Sequence, residues 1–272
     1  MSNQGLVLVQ SDDLAVAWSS AFGHFAQRGV SEITPLIVNI AGFSGGFPLE
    51  NQAIRREVDS AVGALQGSHT VCLPETTANT IFPENLWRLY RTMGRSAFFA
   101  KYETLLPRLQ KRDKRNRKGT YFSRMIAGDS GGQLAHVLDT WQAGHHRRSA
   151  LQIVIFDPAK DHSDQPFLGF PCLDYVTFTP DTASNTLSLT ALYATQWIFD
   201  RAYGNYLGLC RLGRFMAEEM GLRFAQLTCI ASFATVGEAL SKKKDVQALA
   251  ARLIPHVEAA TKSSEALAAT GT

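Results

Sequence analysis

The sequence predicts an α+β fold, and three observations predict it. Runs rich in β-branched and aromatic residues read as strands: Pro35–Ile40, 150–157, a stretch opening at Cys172, 187–193 and 223–234. Apolar residues at helical spacing read as helices around them, as in Leu134, Val137, Leu138 and Trp141. With 272 residues, 45% hydrophobic and 19% charged, the chain is long enough for one large domain spanning 1–272 and has the composition of a soluble globular protein.

From the N-terminus, Ser11-Asp12-Asp13 offers a cap to a helix whose apolar side is Leu14, Val16, Trp18, Phe22 and Phe25, and Gly29 stops it. The strand at 35–40 leads into Gly42–Pro48, which reads as a flexible loop. A phosphate cradle is the other reading there, but the Lys-Ser/Thr of a P-loop is missing. Residues 49–66 read as a helix. Pro83 presets a helical turn, and Glu84 follows where the helix dipole favours a carboxylate. Residues 108–118 are a basic run without interleaved aromatics, which reads as a solvated loop and gives no platform for stacked bases. Tyr121 reads as a strand or loop aromatic.

After the helix around Trp141 ends at Gly144, Arg147 and Arg148 stand side by side. Two guanidinium forks placed together suit the oxygens of a phosphate. The strand at 150–157 follows, and then Pro171-Cys172 opens the next one. Proline fixes the backbone before the cysteine, so the thiol can be aimed as a nucleophile; a small apolar filler is the alternative. Asn205 opens a helix carrying Leu209, Leu212, Phe215 and Met216. Its amide can read the edge of a uracil or simply cap the helix. The strand 223–234 and an Ala-rich helical stretch, 245–268, complete the chain.

The net charge of +3 accommodates an anionic ligand without requiring nucleic acid. Four cysteines, Cys72, Cys172, Cys210 and Cys229, are scattered without zinc spacing, so no metal is expected, and Cys172 is expected to be the functional thiol among fillers. No apolar stretch long enough for a membrane span is seen, and a cytoplasmic protein is expected.

An Arg-Arg pair, a strand, Pro-Cys, two strands and an Asn leading a helix, in that order, resemble the thymidylate synthase family, its pyrimidine hydroxymethylase branch included. The resemblance is clearest over 84–234. It implies a large mixed β-sheet with helices packed on one face and a homodimer joined sheet to sheet, with Arg147 and Arg148 binding phosphate in the partner's site. It further implies that Cys172 adds to C6 of a pyrimidine nucleotide, that Glu84 handles protons at the ring carbonyl (Glu75 competing for the role), that Tyr121 places a hydroxyl in the site, and that Asn205 orients the base. Methylenetetrahydrofolate is the implied one-carbon donor for methyl or hydroxymethyl transfer.

The pattern also departs from the family. The arginine that polarises the thiol is absent near Tyr193-Ala194-Thr195, so Arg147, Arg148 or Arg201 must supply the cation. Trp197 stands where a carboxylate contacts the pterin, and Thr235-Val236-Gly237 lacks the sugar contact. These losses weigh toward a second expectation, a non-catalytic nucleotide-binding or assembly protein on the same scaffold. A nucleic-acid modifier is a third, supported by the basic run alone.

Overall fold

The computed structural model describes residues 5–65, 71–128, 131–164, 170–240 and 242–270, with side chains described as far as 262. The alternating runs pair into a seven-stranded mixed sheet. Its strands are β1 (Val7–Ser11), β2 (Glu32–Ile33), β3 (Leu36–Ile40), β6 (Gln152–Val154), β7 (Leu173–Asp181), β8 (Thr186–Trp197) and β9 (Arg223–Thr235). The order across the sheet is β1-β3-β9-β8-β7-β6, with β2 on the end of β9. The β1/β3 and β8/β9 pairs are parallel and the others antiparallel. A parallel pair needs a crossover, and helices supply both: α1 (Leu14–Arg28) for β1/β3 and α9 (Tyr203–Met220) for β8/β9.

Period-two alternation decides which face is covered. Val7, Val9, Leu36, Val38, Leu189, Ala191, Tyr193, Leu227 and Cys229 are buried beneath α1 and α9. Their alternates, among them Leu8, Ile37, Leu192, Ile230 and Tyr175, are exposed or half-buried on the opposite face.

Around α9 lie α3 (Pro74–Ile81), α4 (Glu84–Tyr90), α5 (Arg95–Arg112), α6 (Tyr121–Ile126) and α7 (Gly132–Ala143), while α2 (Gln52–Ala64) and α10 (Lys243–Thr270) flank α1. Phe82, Trp87, Phe98, Phe99, Phe122 and Phe215 interlock with ring centroids 4.9 to 6.1 Å apart and lock α4, α5 and α6 to α9. The first two turns of α9 approach α3 closely because Gly204 and Gly208 face it. A Cβ there would stand 2.5 Å from Pro74 O and 2.8 Å from Ala78 O respectively.

Several sequence expectations change. The loop at 42–48 folds as a small hairpin of β4 (Phe43–Ser44) and β5 (Phe47–Pro48), turned by Gly45 and Gly46 at positive φ. The basic run is not one loop: 108–112 is the last turn of α5 and Lys114–Asn116 a 3-10 turn. Tyr121 begins α6, a helix fixed by a capping box between Thr120 and Ser123. The strand at 150–157 shortens to Gln152–Val154, with α8 (Pro158–Asp161) after it. No helix among the described residues is long and apolar enough to cross a membrane.

Candidate active site

At the head of β7, Cys172 is exposed. Its carbonyl accepts from Ala194 N at 3.1 Å, which ties the strand entrance to β8. Its own N–H donates to the Tyr121 hydroxyl at 3.4 Å. Tyr121 packs against Phe170 with centroids 5.0 Å apart and the rings tilted by 40°, and Arg124 lies over the Phe170 ring, 4.7 Å from its centroid. An ion pair between half-buried Arg124 and buried Asp161 anchors that corner. Sequence order therefore hides a close meeting of β7 with the start of α6.

The cation is Arg201. It sits in a π-helical turn, Ile198–Ala202, between β8 and α9. Such turns displace side chains from the regular helical register and are frequent at functional sites. This one is pinned by Trp18 Nε1 donating to Ile198 O at 2.8 Å and by Glu238 N donating to Asp200 at 3.1 Å. Arg201 Nη1 lies 2.6 Å from Cys72 Sγ, and its charge reaches Cys172. Cys72 is buried, but it is more than a filler, because it contacts the guanidinium that also acts on Cys172.

Although Cys172 is exposed as a residue, the protein packed around its sulfur pushes the thiol up, Asp174 pushes it further, and Arg201 opposes both. Asp174 is itself raised by burial, against a backbone N–H of Ala194. Burial also raises the Tyr121 hydroxyl, with Cys172 adding to the effect, so Tyr121 stays protonated and can donate. A thiol, a phenol and a carboxyl with a raised pKa thus share one small space under one cation. Asp174 does not stand out in the sequence; its one signal is its place two residues after Cys172, on the same strand.

The remaining predicted residues are distributed differently. Asn205 lies in the first turn of α9, four residues after Arg201, and is buried at 5% exposure with no side-chain hydrogen bond among the described residues. Glu84 is buried at the start of α4 and forms an ion pair with Arg214 of α9. Arg214 is nine residues beyond Asn205, about 14 Å along the helix at 1.5 Å per residue. Glu75, the competitor, accepts from Arg211 at 2.9 Å through both oxygens. Arg147 and Arg148 are exposed after α7. The Asp181 carboxyl, at the far end of β7, is held below its usual pKa by the Ser184 hydroxyl and the backbone N–H groups of Ala183 and Ser184, and Arg148 adds to that. Nine residues separate Asp181 from Cys172, about 30 Å of strand. Within one chain, then, the structure groups Cys172, Tyr121 and Arg201, and leaves Glu84 and the arginine pair elsewhere.

Trp197 ends β8, half-buried, and offers a pterin no carboxylate. Among the described residues, no group of three or more His, Cys, Asp or Glu side chains could hold a metal ion. In comparison with known proteins, the chain matches no family model and no curated sequence.

Proposed function

We propose that this chain is an enzyme that activates C5 of a pyrimidine nucleotide by adding Cys172 to C6, on a thymidylate synthase-like scaffold. One observation carries the reading: an accessible cysteine at a fixed strand entrance, with the Tyr121 hydroxyl, the Arg201 charge and the Asp174 carboxyl around it. In the proposed step Asp174 takes the thiol proton and Sγ bonds to C6. The C5–C6 π pair then moves into an enolate over C5 and O4, next to Arg201 and the Tyr121 O–H. C5 is now nucleophilic and can take up an electrophile. Loss of the C5 proton returns the electron pair and expels Cys172. Asn205, whose amide makes no side-chain hydrogen bond among the described residues, is assigned to the ring edge. Glu84 is assigned no chemical role, since Arg214 holds it.

Methyl or hydroxymethyl transfer would need a one-carbon donor. Methylenetetrahydrofolate fits poorly, because Trp197 replaces the expected carboxylate and the nearby Asp200 accepts from the backbone of Glu238. A homodimer is part of the reading. The arginine pair lies too far from its own Cys172 to share a ligand with it, and the uncovered sheet face with Leu8, Ile37, Leu192 and Ile230 is an apolar surface for a second copy.

A C5-tritiated uridine nucleotide tests the step. Tritium is expected to wash out without folate and to be retained with Cys172→Ala. Mixing Cys172→Ala chains with Arg147→Ala/Arg148→Ala chains is expected to restore release if sites are shared. The alternative, a non-catalytic nucleotide-binding protein, is favoured by the raised thiol. It predicts nucleotide binding with no release under any condition. Absence of nucleotide binding overturns both.

A further inference from the structure

A cleft of about 880 Å³ lies between α3 and α4 on one side and α5 with its following 3-10 turn on the other. That falls within the 300–1,000 Å³ range of small-molecule sites. Its wall adjoins the thiol site at two points. Thr120, in the wall, bonds Tyr102 at 2.7 Å and immediately precedes Tyr121. Arg115, also in the wall, donates to Val71 O at 3.2 Å, next to the Cys72 that meets Arg201.

The chemistry of the lining is mixed in a particular way. Leu86, Leu105 and Leu109 give it an apolar surface. Asn79, Asn85 and Asn116 each bring a donor and an acceptor, and none has a side-chain hydrogen bond among the described residues. At the rim, Arg115 is held by Asp113 through paired contacts of 2.8 to 3.0 Å, which cancels one charge with another. Arg112 and Lys114 are exposed and carry no ion pair among the described residues. They leave two uncommitted positive charges at the mouth of a cleft whose inside is apolar and amide-lined. Lys111 and Arg117 stand just outside them on the same segment.

We infer that this cleft binds a small ligand with a flat, hydrogen-bonding ring and two or more linked anionic groups, of the nucleoside polyphosphate class. The ring lies on the leucines and is read by the amides, and the anionic chain runs out along Arg112 and Lys114. This gives the basic run a task that a solvated loop would not have. It also sets a second ligand against the back of the Arg201 turn, independent of whether Cys172 reacts with anything.

Calorimetry on the full-length chain with uridine triphosphate, adenosine triphosphate, tripolyphosphate and a short oligothymidylate tests it. At least one nucleoside triphosphate is expected to bind, about tenfold or more tighter than tripolyphosphate, since the ring adds its own contacts. Binding is expected to weaken about tenfold or more in Arg112→Ala/Lys114→Ala, both exposed positions whose change leaves the fold intact, and in the cleft-filling Leu105→Trp. Cys172→Ala is expected to leave it unchanged, which separates this result from the fate of the C5 reaction. Equal affinity in the rim variant, no triphosphate binding, or tighter binding of the oligothymidylate than of any mononucleotide would each overturn the assignment.

Discussion

The two ends of α9 present similar residues in opposite conditions. Near its start, the Arg201 charge acts on a thiol and a phenol beside a carboxyl, and the buried Asn205 follows four residues later. Eleven residues into the helix, Arg214 is closed in on every side. Glu84 pairs with it, Glu218 accepts from it at 3.0 Å, and Phe47 of the β4–β5 hairpin covers its guanidinium with the ring centroid 4.0 Å away. A carboxylate and an arginine occur at both ends. At the closed end they neutralise each other, whereas at the open end Arg201 meets Cys72 and acts on Cys172, and among the described residues no carboxylate forms an ion pair with it. The difference teaches that a buried acid on a helix facing the core reports a neighbouring cation at least as readily as a catalytic proton.

The largest effect should come from breaking the closed end. Arg214→Met leaves Glu84 buried without its counter-charge and is expected to destabilise the fold by roughly 3–5 kcal/mol in urea titrations. Adding Glu84→Gln to that variant should restore part of the loss, and the alkylation rate of Cys172 in the folded protein should stay near wild type. A large change in thiol rate would join the two ends that the geometry separates.

At the open end the expected changes are in reactivity. Arg201 favours the Cys172 thiolate and Asp174 disfavours it. Arg201→Gln should therefore raise the thiol pKa and slow iodoacetamide alkylation at pH 8, and Asp174→Asn should lower it and speed alkylation, each by about threefold to tenfold. In the unaltered chain the rate should still be climbing with pH where an ordinary thiol has levelled off. If Asp174 also carries the proton, Asp174→Asn will slow tritium release while it speeds alkylation.

The smallest effect sharpens the comparison from outside. Arg147→Ala/Arg148→Ala changes exposed side chains and should alter the stability of the isolated chain by under about 0.5 kcal/mol.

Local signals were legible in the sequence. Asp13 caps α1 through Val16 N, Gly29 ends it in a left-handed conformation, Gly144 ends α7, and the long strands alternate where the β-branched runs said they would. Helix α5 was missed because its apolar face, Phe98, Phe99 and Tyr102, is confined to its first half, while the rest is charged and interrupted by Pro107. Of the candidate site, Cys172 and Tyr121 meet, and Arg201 had been named only as one of three cations. Its place depends on a π-turn tied to Trp18 across 180 residues of sequence, and spacing carries no trace of such a contact. The ion pair of Glu84 was not legible, because an acid beginning a helix looks the same in sequence whether its partner is a ligand or an arginine 130 residues on.

The hairpin over Arg214 has a consequence for how this chain can change through descent. Gly46, at φ +78°, passes so near that a Cβ would stand 2.9 Å from Arg214 Cγ, and Phe47 then lies on the guanidinium. Replacing any one of Gly46, Phe47, Glu84 or Arg214 alone leaves a clash, a bare cation or a stranded acid, so the penalties are coupled rather than additive. Lineages should keep this quartet or exchange it in concert, while the residues around Cys172, which lean on one another less, are free to drift one at a time toward new substrates.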